Sequence, residues 1–157
     1  MLFFRKLMVT LIITLGMCHG AVGQLPATSI HALTDSIRLH PKPGLILIST
    51  RWCTYCQLQK AQLKKNKDFQ AASPYFYFSE LDAETPENIT FNGRTYAFQR
   101  TGVSTGIHEL AYALGNADNR LAFPTWVLID ERFNILLTYP GVLDKKALTE
   151  LIKKLQE

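Results

Sequence analysis

The sequence predicts an α/β fold with a mixed central sheet flanked by helices on both faces. An apolar run at 44–50 leads through a short turn into good helix formers at 57–65, which is the order of a buried strand followed by a helix. Near the C terminus, β-prone segments at 126–129 and 135–139 flank a polar turn, as in a hairpin. A second early strand at 75–82 follows the helix, so the first two strands are expected to be parallel and the last two antiparallel.

The N-terminal segment has the organisation of a secretory signal peptide. Two basic residues precede an apolar run at 7–17, which is too short to cross the ~30 Å hydrocarbon core of a bilayer as a helix. A small-x-small cleavage site follows at 21–23. We therefore expect a signal peptide at 1–23 and one folded domain at 24–157. An uncleaved membrane anchor is the alternative.

Composition and charge fit a single exported domain. The 157 residues, 47% of them hydrophobic, suffice for one core. Without the signal, 15 Lys and Arg face 13 Asp and Glu, and no basic run is interleaved with aromatics, so no nucleic-acid partner is expected. Cys18 would leave with the signal, and the remaining cysteine pair suits an oxidising compartment. A bacterial periplasm is the expected location.

The first half of the domain alternates helix and strand. Thr28 or Ser29 can cap a short helix that ends before Pro41. After the first strand, the second helix is expected to run to about Asn66. The aromatic-rich segment at 75–82 has the composition of the second strand.

The second half begins with a stretch at about 84–105 that differs in sequence pattern from the segments around it. Asn92-Gly93 lies there between two β-prone arms, which is the strongest short-range signal for a hairpin. We expect this hairpin to be an exposed addition outside the core. A helix is predicted at 107–114, with His108 as an exposed helix residue, although a proton donor near the cysteines is the other interpretation. Asp144 caps a terminal amphipathic helix.

The most informative segment is Cys53-Thr54-Tyr55-Cys56, between the first strand and its helix. The first N–H groups of a helix are unpaired and carry partial positive charge. A thiolate there is stabilised, and the pKa of a cysteine can fall from ~8.5 to roughly 3.5–7.5. We therefore expect a reversible dithiol/disulfide pair, with Cys53 as exposed nucleophile and Cys56 as buried resolving thiol.

Two other interpretations of the cysteine pair remain open. Cys-x-x-Cys can be half of a zinc site, but a structural zinc takes four ligands. The third cysteine and the histidines are scattered, with no second paired motif. The pair can also be an inert structural disulfide. The setting of strand then helix favours redox chemistry, and no metal is expected.

The chain resembles the thioredoxin superfamily at three places. Trp52-Cys53-Thr54-Tyr55-Cys56 follows an apolar strand, and Phe123-Pro124-Thr125 looks like the family's cis-proline before its fourth strand. Pro140-Gly141-Val142 leads into the terminal helix, similar to the family's ending. The resemblance covers roughly residues 28–83 and 107–157. It implies a thioredoxin fold that carries the intervening stretch as an inserted hairpin.

The resemblance also implies a function and a set of site residues. The implied activity is that of a thiol-disulfide oxidoreductase, with Cys53 as nucleophile and Cys56 as resolving thiol. Trp52, Phe123 and Pro124 match the substrate side of the family's site. No cofactor is implied. The implied partners are protein or small-molecule disulfides and an upstream membrane thiol donor.

One departure from the family concerns the proton acceptor. Leu47 stands six residues before the first motif cysteine, where many members carry a buried Asp or Glu. When a mixed disulfide resolves, Cys56 must lose its proton in an apolar site, where the pKa of a thiol is raised. Glu80, on the neighbouring strand, is therefore the candidate proton acceptor. The alternative is that Glu80 pairs with Lys60 or Lys64, or faces solvent.

The direction of electron flow depends on the reduction potential, which the intervening dipeptide Thr54-Tyr55 tunes. Trp52 and the export signal look most like the secreted thioredoxins of bacteria, so a disulfide reductase is favoured. An oxidase or isomerase is the alternative. A secreted metal- or partner-binding module that uses the cysteine pair is a further candidate, and a peroxidase of related fold ranks below it.

Overall fold

The computed structural model describes residues 27–116 and 120–157, so the predicted signal peptide and Cys18 lie outside the described part of the chain. In chain order the elements are α1 (Ile30–Leu39), β1 (Gly44–Ser49), α2 (Thr54–Lys65), α3 (Lys67–Ala71), β2 (Tyr77–Asp82), β3 (Ile89–Phe91), β4 (Arg94–Tyr96), β5 (Phe98–Arg100), β6 (Gly106–His108), α4 (Glu109–Gly115), β7 (Thr125–Ile129), β8 (Ile135–Pro140) and α5 (Lys145–Leu155).

Side-chain caps explain where several helices begin. The Ser29 hydroxyl accepts a hydrogen bond from the N–H of His31, and the Asp144 carboxylate accepts one from Ala147, so both predicted caps are present. Asn66 ends α2 and caps α3, a short helix that was not predicted. The motif helix therefore ends where it was predicted to end, and α3 begins there because the Asn66 side chain accepts a hydrogen bond from the N–H of Phe69.

The central sheet has the predicted mixed topology. Its strand order is β2-β1-β7-β8. β1 and β2 are parallel, and β7 is antiparallel to both β1 and β8. The parallel pair arises because α2 and α3 form the crossover between the first two strands. The final pair is a hairpin joined by a short turn, which confirms the prediction.

All six residues of β1 are buried, because helices cover both faces of the sheet. Side chains of successive strand residues point to opposite faces. Ile46 and Ile48 accordingly pack in a cluster with α1 and α4, whereas Leu45 and Leu47 pack with α2 and α5. The motif helix α2 thus lies on the Leu47 face of the central strand.

The inserted stretch contains two hairpins rather than one. β3 and β4 form the predicted hairpin around Asn92 and Gly93, which are exposed and have φ values of 47° and 79°, as a two-residue turn of this kind requires. β5 and β6 form a second hairpin that was not predicted, and β6 occupies the start of the helix predicted at 107–114. The close approach of these strands requires Gly106, because any Cβ there would collide with the Phe98 ring.

The first hairpin is not the peripheral addition that was predicted. Ile89 and Phe91 are almost fully buried in the same cluster as α1. The N–H of Asn92 donates to the Thr34 hydroxyl at 3.0 Å, which ties the turn to that helix as well. The prediction failed because a three-residue strand is too short for its alternating pattern to reveal a buried face.

Candidate active site

The two motif cysteines lie at the N terminus of α2, at the end of the chain segment that leaves β1. Cys53 is the N-cap residue, and its Sγ accepts a hydrogen bond from the N–H of Cys56 at 3.1 Å. The two sulfurs are joined in a disulfide, with Cα atoms 5.2 Å apart. The helix therefore presents its unpaired N–H groups and the positive end of its dipole to the Cys53 sulfur.

The burial of the two cysteines follows the predicted order but not the predicted extent. Cys56 is fully buried, whereas Cys53 keeps 6% of its surface exposed. The expectation of an open Cys53 was therefore wrong for this disulfide form. As the N-cap, the Cys53 side chain turns back towards the first helical turn, where its sulfur meets both the Cys56 N–H and the Cys56 sulfur.

Trp52 is held beside the motif by a residue that the sequence did not single out. The indole is 69% exposed, and its Nε1 donates to both carboxylate oxygens of Glu84, at 3.1 and 3.0 Å. Its ring meets Phe123 edge-on, with centroids 6.3 Å apart. Glu84 begins the inserted stretch, and its N–H donates to the Asp82 carboxylate. Glu84 thus links the insertion to the motif.

A shallow apolar groove of about 370 Å³ lies beside the start of α2. The Phe123–Pro124 peptide bond is cis, which is the isomer that the resemblance implied. The N–H of Gly141 donates to the Pro124 carbonyl at 2.7 Å, which joins the loop after β8 to the loop before β7. The groove is lined by Tyr55, Leu58, Phe123, Pro124, Gly141 and Val142. The candidate substrate residues Phe123 and Pro124 are therefore neighbours of the motif helix.

Glu80 is in an ion pair with a lysine of the motif helix. Its carboxylate lies 2.7 Å from the Lys60 Nζ, and its side chain is about one-third exposed, at 36%. Lys60 is one helical turn beyond Cys56. Leu47 is fully buried and pairs with Glu80 in register on the adjacent strand. The ion pair with Lys60 is the alternative that the sequence predicted for Glu80.

His108 is fully buried, so the prediction of an exposed helix residue was wrong. It is the N-cap of α4, with Nδ1 accepting from the N–H of Leu110 at 3.1 Å. Nε2 lies 3.0 Å from the Glu87 carbonyl oxygen, so the neutral ring donates its proton there. Burial is the main reason that the pKa of His108 is lowered. His108 fastens the insertion to the domain and is not directed at the cysteines by any of these bonds.

The described residues contain neither a cluster of metal ligands nor a membrane-spanning helix. Across residues 27–116 and 120–157, no group of three or more His, Cys, Asp or Glu side chains is arranged to hold a metal ion. In the same ranges, no helix combines the length and the apolar character needed to cross a bilayer.

Comparison with protein families matches residues 32–156 to the family described as thioredoxin-like domain. No curated protein matches the sequence significantly.

Solved structures resemble the fold at low sequence identity. A DsbH oxidoreductase is 15% identical, with a TM-score of 0.57, and the match covers 90% of this chain and 91% of that one. A disulphide isomerase from Xylella fastidiosa Temecula1 is 20% identical, with a TM-score of 0.51 and coverage of 80% and 86%. Trichomonas vaginalis thioredoxin is 17% identical, with a TM-score of 0.51 and coverage of 83% and 98%. These similarities support the fold.

Proposed function

The chain belongs to the family of thioredoxin-like domains and has the fold and cysteine pair of a thiol-disulfide oxidoreductase, and from this premise we propose that it reduces disulfides in exported proteins. The observation that carries the thiol-disulfide chemistry is the placement of Cys53 as N-cap of α2, with its sulfur bonded to Cys56 and accepting the Cys56 N–H. The reducing direction is proposed from the resemblance of Trp52 and the signal-like segment at 1–23 to the secreted thioredoxins of bacteria. An inert structural disulfide would not need its sulfur at the positive end of a helix.

The reduction proceeds by two thiol-disulfide exchanges. The Cys53 thiolate attacks one sulfur of the substrate disulfide, so that a mixed disulfide forms and the other substrate sulfur leaves as a thiolate. The Cys56 thiolate then attacks the Cys53 sulfur, releases the second substrate thiolate and closes the Cys53–Cys56 disulfide. Two electrons have passed to the substrate. A thiol donor, proposed to be a membrane protein upstream, must then reduce the pair again.

The apolar groove is proposed to hold the segment of substrate that carries the disulfide. Its lining of Phe123, Pro124 and neighbouring apolar residues suits an extended polypeptide. Such a segment is proposed to pair with the backbone of Phe123, next to a proline that contributes no N–H of its own. Trp52 is exposed at the rim and extends the apolar surface.

The direct test is reduction of insulin with dithiothreitol as electron source. The expected result is a rate that exceeds the reaction with dithiothreitol alone and that is abolished by Cys53→Ser. No acceleration would contradict the reductase. A matched control is Tyr75→Phe, because Tyr75 is an exposed residue outside the motif and the groove.

Oxidase or isomerase activity is the second candidate, and the N-cap position of Cys53 favours it. Stabilising the Cys53 thiolate stabilises the reduced form, which makes the disulfide a stronger oxidant. The reduction potential of the cysteine pair, measured by equilibration with glutathione, separates the two. A reductase is expected to have a potential of about −270 mV, as thioredoxin does, and an oxidase one of about −120 mV.

Glu80 remains our candidate proton acceptor for Cys56, now with Lys60 as its partner. Lys60 follows Cys56 by one turn of α2, so the Glu80 carboxylate is held at the helix that carries the resolving thiol. In Glu80→Gln, we expect slower resolution of a preformed Cys53 mixed disulfide, with a changed pH profile. Lys64→Gln is the control, because it removes a lysine of the same helix outside this pair. A wild-type rate and profile in Glu80→Gln would exclude the role.

Export is proposed from the signal-like segment at 1–23, with Gln24 as the first mature residue and the periplasm as destination. The check is fractionation of a Gram-negative host, followed by the intact mass of the recovered protein. Recovery of the full-length chain from the membrane fraction would favour the uncleaved anchor instead.

A further inference from the structure

Gln59 is a buried polar side chain that the exchange reactions of the cysteines do not use. It lies on α2 one turn beyond Cys56 and, like Cys56, has no exposed surface. A carboxamide removed from water must find hydrogen-bond partners for its oxygen and its nitrogen. The partners of Gln59 therefore indicate its role.

Both ends of the Gln59 carboxamide bind the backbone of Leu143, 84 residues away in the sequence. Oε1 accepts the Leu143 N–H at 2.7 Å, and Nε2 donates to the Leu143 carbonyl at 3.4 Å. Nε2 also lies 3.3 Å from the side-chain oxygen of Gln62. Leu143 is in the loop between β8 and α5, outside any strand or helix. Gln59 thus gives this peptide the two bonds that a neighbouring strand would give.

The loop that Gln59 holds is one wall of the apolar groove. Val142 lines the groove and is fixed through both of its neighbours. On one side, Gly141 donates its N–H to the Pro124 carbonyl. On the other side, Leu143 is bound by Gln59. Hydrogen bonds therefore join three segments: the motif helix α2, the loop after β8 and the loop that contains Pro124. Gln59 is the residue that connects the two loops to α2, the helix that carries the cysteines.

We propose that Gln59 is a positioning residue that sets the width of the groove, and with it the affinity for an extended polypeptide that carries a disulfide. This inference rests on the proposed function. A polypeptide must lie between the motif helix, which contributes Tyr55 and Leu58, and the joined loops of Pro124 and Val142, whereas a small disulfide needs only the Cys53 sulfur. Loss of Gln59 should therefore affect the two classes of substrate differently.

The test compares substrates in Gln59→Met, which has similar length but no carboxamide. We expect the KM for insulin to rise about tenfold, equivalent to ~1.4 kcal/mol, with kcat nearly unchanged. The reduction of hydroxyethyl disulfide and the alkylation rate of reduced Cys53 should stay as in the unmodified protein. A merely structural role would alter all of these together or none of them.

Two further variants sharpen the result. Gln59→Glu keeps the oxygen that accepts the Leu143 N–H but replaces the donor with a second acceptor facing the Leu143 carbonyl, so its KM for insulin should rise at least as much as in Gln59→Met. Gln62→Ala removes only the contact between the two glutamines and should leave KM unchanged. Equal KM values for Gln59→Met and the unmodified protein would overturn the proposal, as would a large effect of Gln62→Ala.

The exchange rates of backbone amides give a measurement that does not depend on activity. They can be compared within the unmodified protein, so the test does not require that a variant folds. In the unmodified protein, the Leu143 amide should exchange far more slowly than the Val142 amide. In Gln59→Met, that protection should be lost while β1 keeps its own. Similar exchange of the two amides in the unmodified protein would overturn the positioning role. Failure to reduce insulin would instead overturn the proposed function, and the exchange data would still decide whether Gln59 positions the loop.

Discussion

His108 offers a quantitative test of how the insertion is fastened to the domain. Its ring caps α4 through a buried hydrogen bond from Leu110 and binds the Glu87 carbonyl through a partly buried one. His108→Ala leaves the Leu110 N–H without its acceptor, which costs about 1–3 kcal/mol. The lost bond to Glu87 adds ~1 kcal/mol. At about 3 °C per kcal/mol for a domain of this size, the Tm should fall by roughly 6–12 °C.

A matched variant separates the two bonds. His108→Asn can still cap the helix, because an Asn side chain accepts from the following N–H groups as the histidine does. It is too short to reach Glu87. We expect about half of the destabilisation of His108→Ala, measured by thermal unfolding at pH 7.5. Equal destabilisation by the two variants would refute the role of the cap.

The pH dependence of stability provides a second readout for the same residue. Burial lowers the pKa of His108 in the folded state, whereas the unfolded chain titrates near the ordinary value of ~6.5. The unfolded state therefore binds the proton first as the pH falls. The contribution of His108 to stability is complete above about pH 6.5 and is lost below it, at up to ~1.4 kcal/mol per pH unit.

The experiment is urea unfolding between pH 7.5 and 5, for the unmodified protein and for His108→Asn. Nearby charges also act on this site: Glu109 raises the pKa of His108 and His31 lowers it. Both groups remain in the variant, so the difference between the two curves isolates His108. The unmodified protein should lose more stability on acidification. Parallel curves would contradict a buried neutral imidazole.

Three further predictions concern the site and the insertion. Cys56→Ser should accumulate mixed disulfides with a protein substrate, visible on non-reducing gels, whereas Cys53→Ser should trap none; the reverse pattern would exchange their roles. Glu84→Ala should free the Trp52 indole and alter its fluorescence, with only a small fall in Tm because the indole is largely exposed; an unchanged spectrum would contradict the contact. Deletion of 87–103 should leave an unfolded chain by circular dichroism, because it removes buried side chains of the first hairpin, and a folded product would show that the insertion is dispensable.

Local patterns in the sequence were sufficient to predict the order of the main strands and helices, two helix caps and one turn. The order of apolar strand, cysteine pair and helix depends on residues close together in the chain, as do the caps at Ser29 and Asp144. The turn at Asn92-Gly93 depends on the backbone freedom of its own two residues. The resemblance to a known family then allowed Cys53 and Pro124 to be related to each other across the intervening chain.

The contacts that build the site were decided only by the tertiary structure. Trp52 and Glu84 are 32 residues apart, and no pattern of spacing marks their hydrogen bonds. The burial of His108 depends on a second hairpin whose strands have three residues each, too short for a periodic signal.

Gln59 illustrates the physical reason most directly. On a helix rich in Gln and Lys, its sequence alone indicates a solvated side chain. The fold instead brings Leu143 to it from 84 residues away and buries both. Caps and periodicity arise from the geometry of neighbouring residues, so the sequence by itself determined them. The partners of a buried polar group are set by how distant elements pack, and only the folded chain brings those elements together.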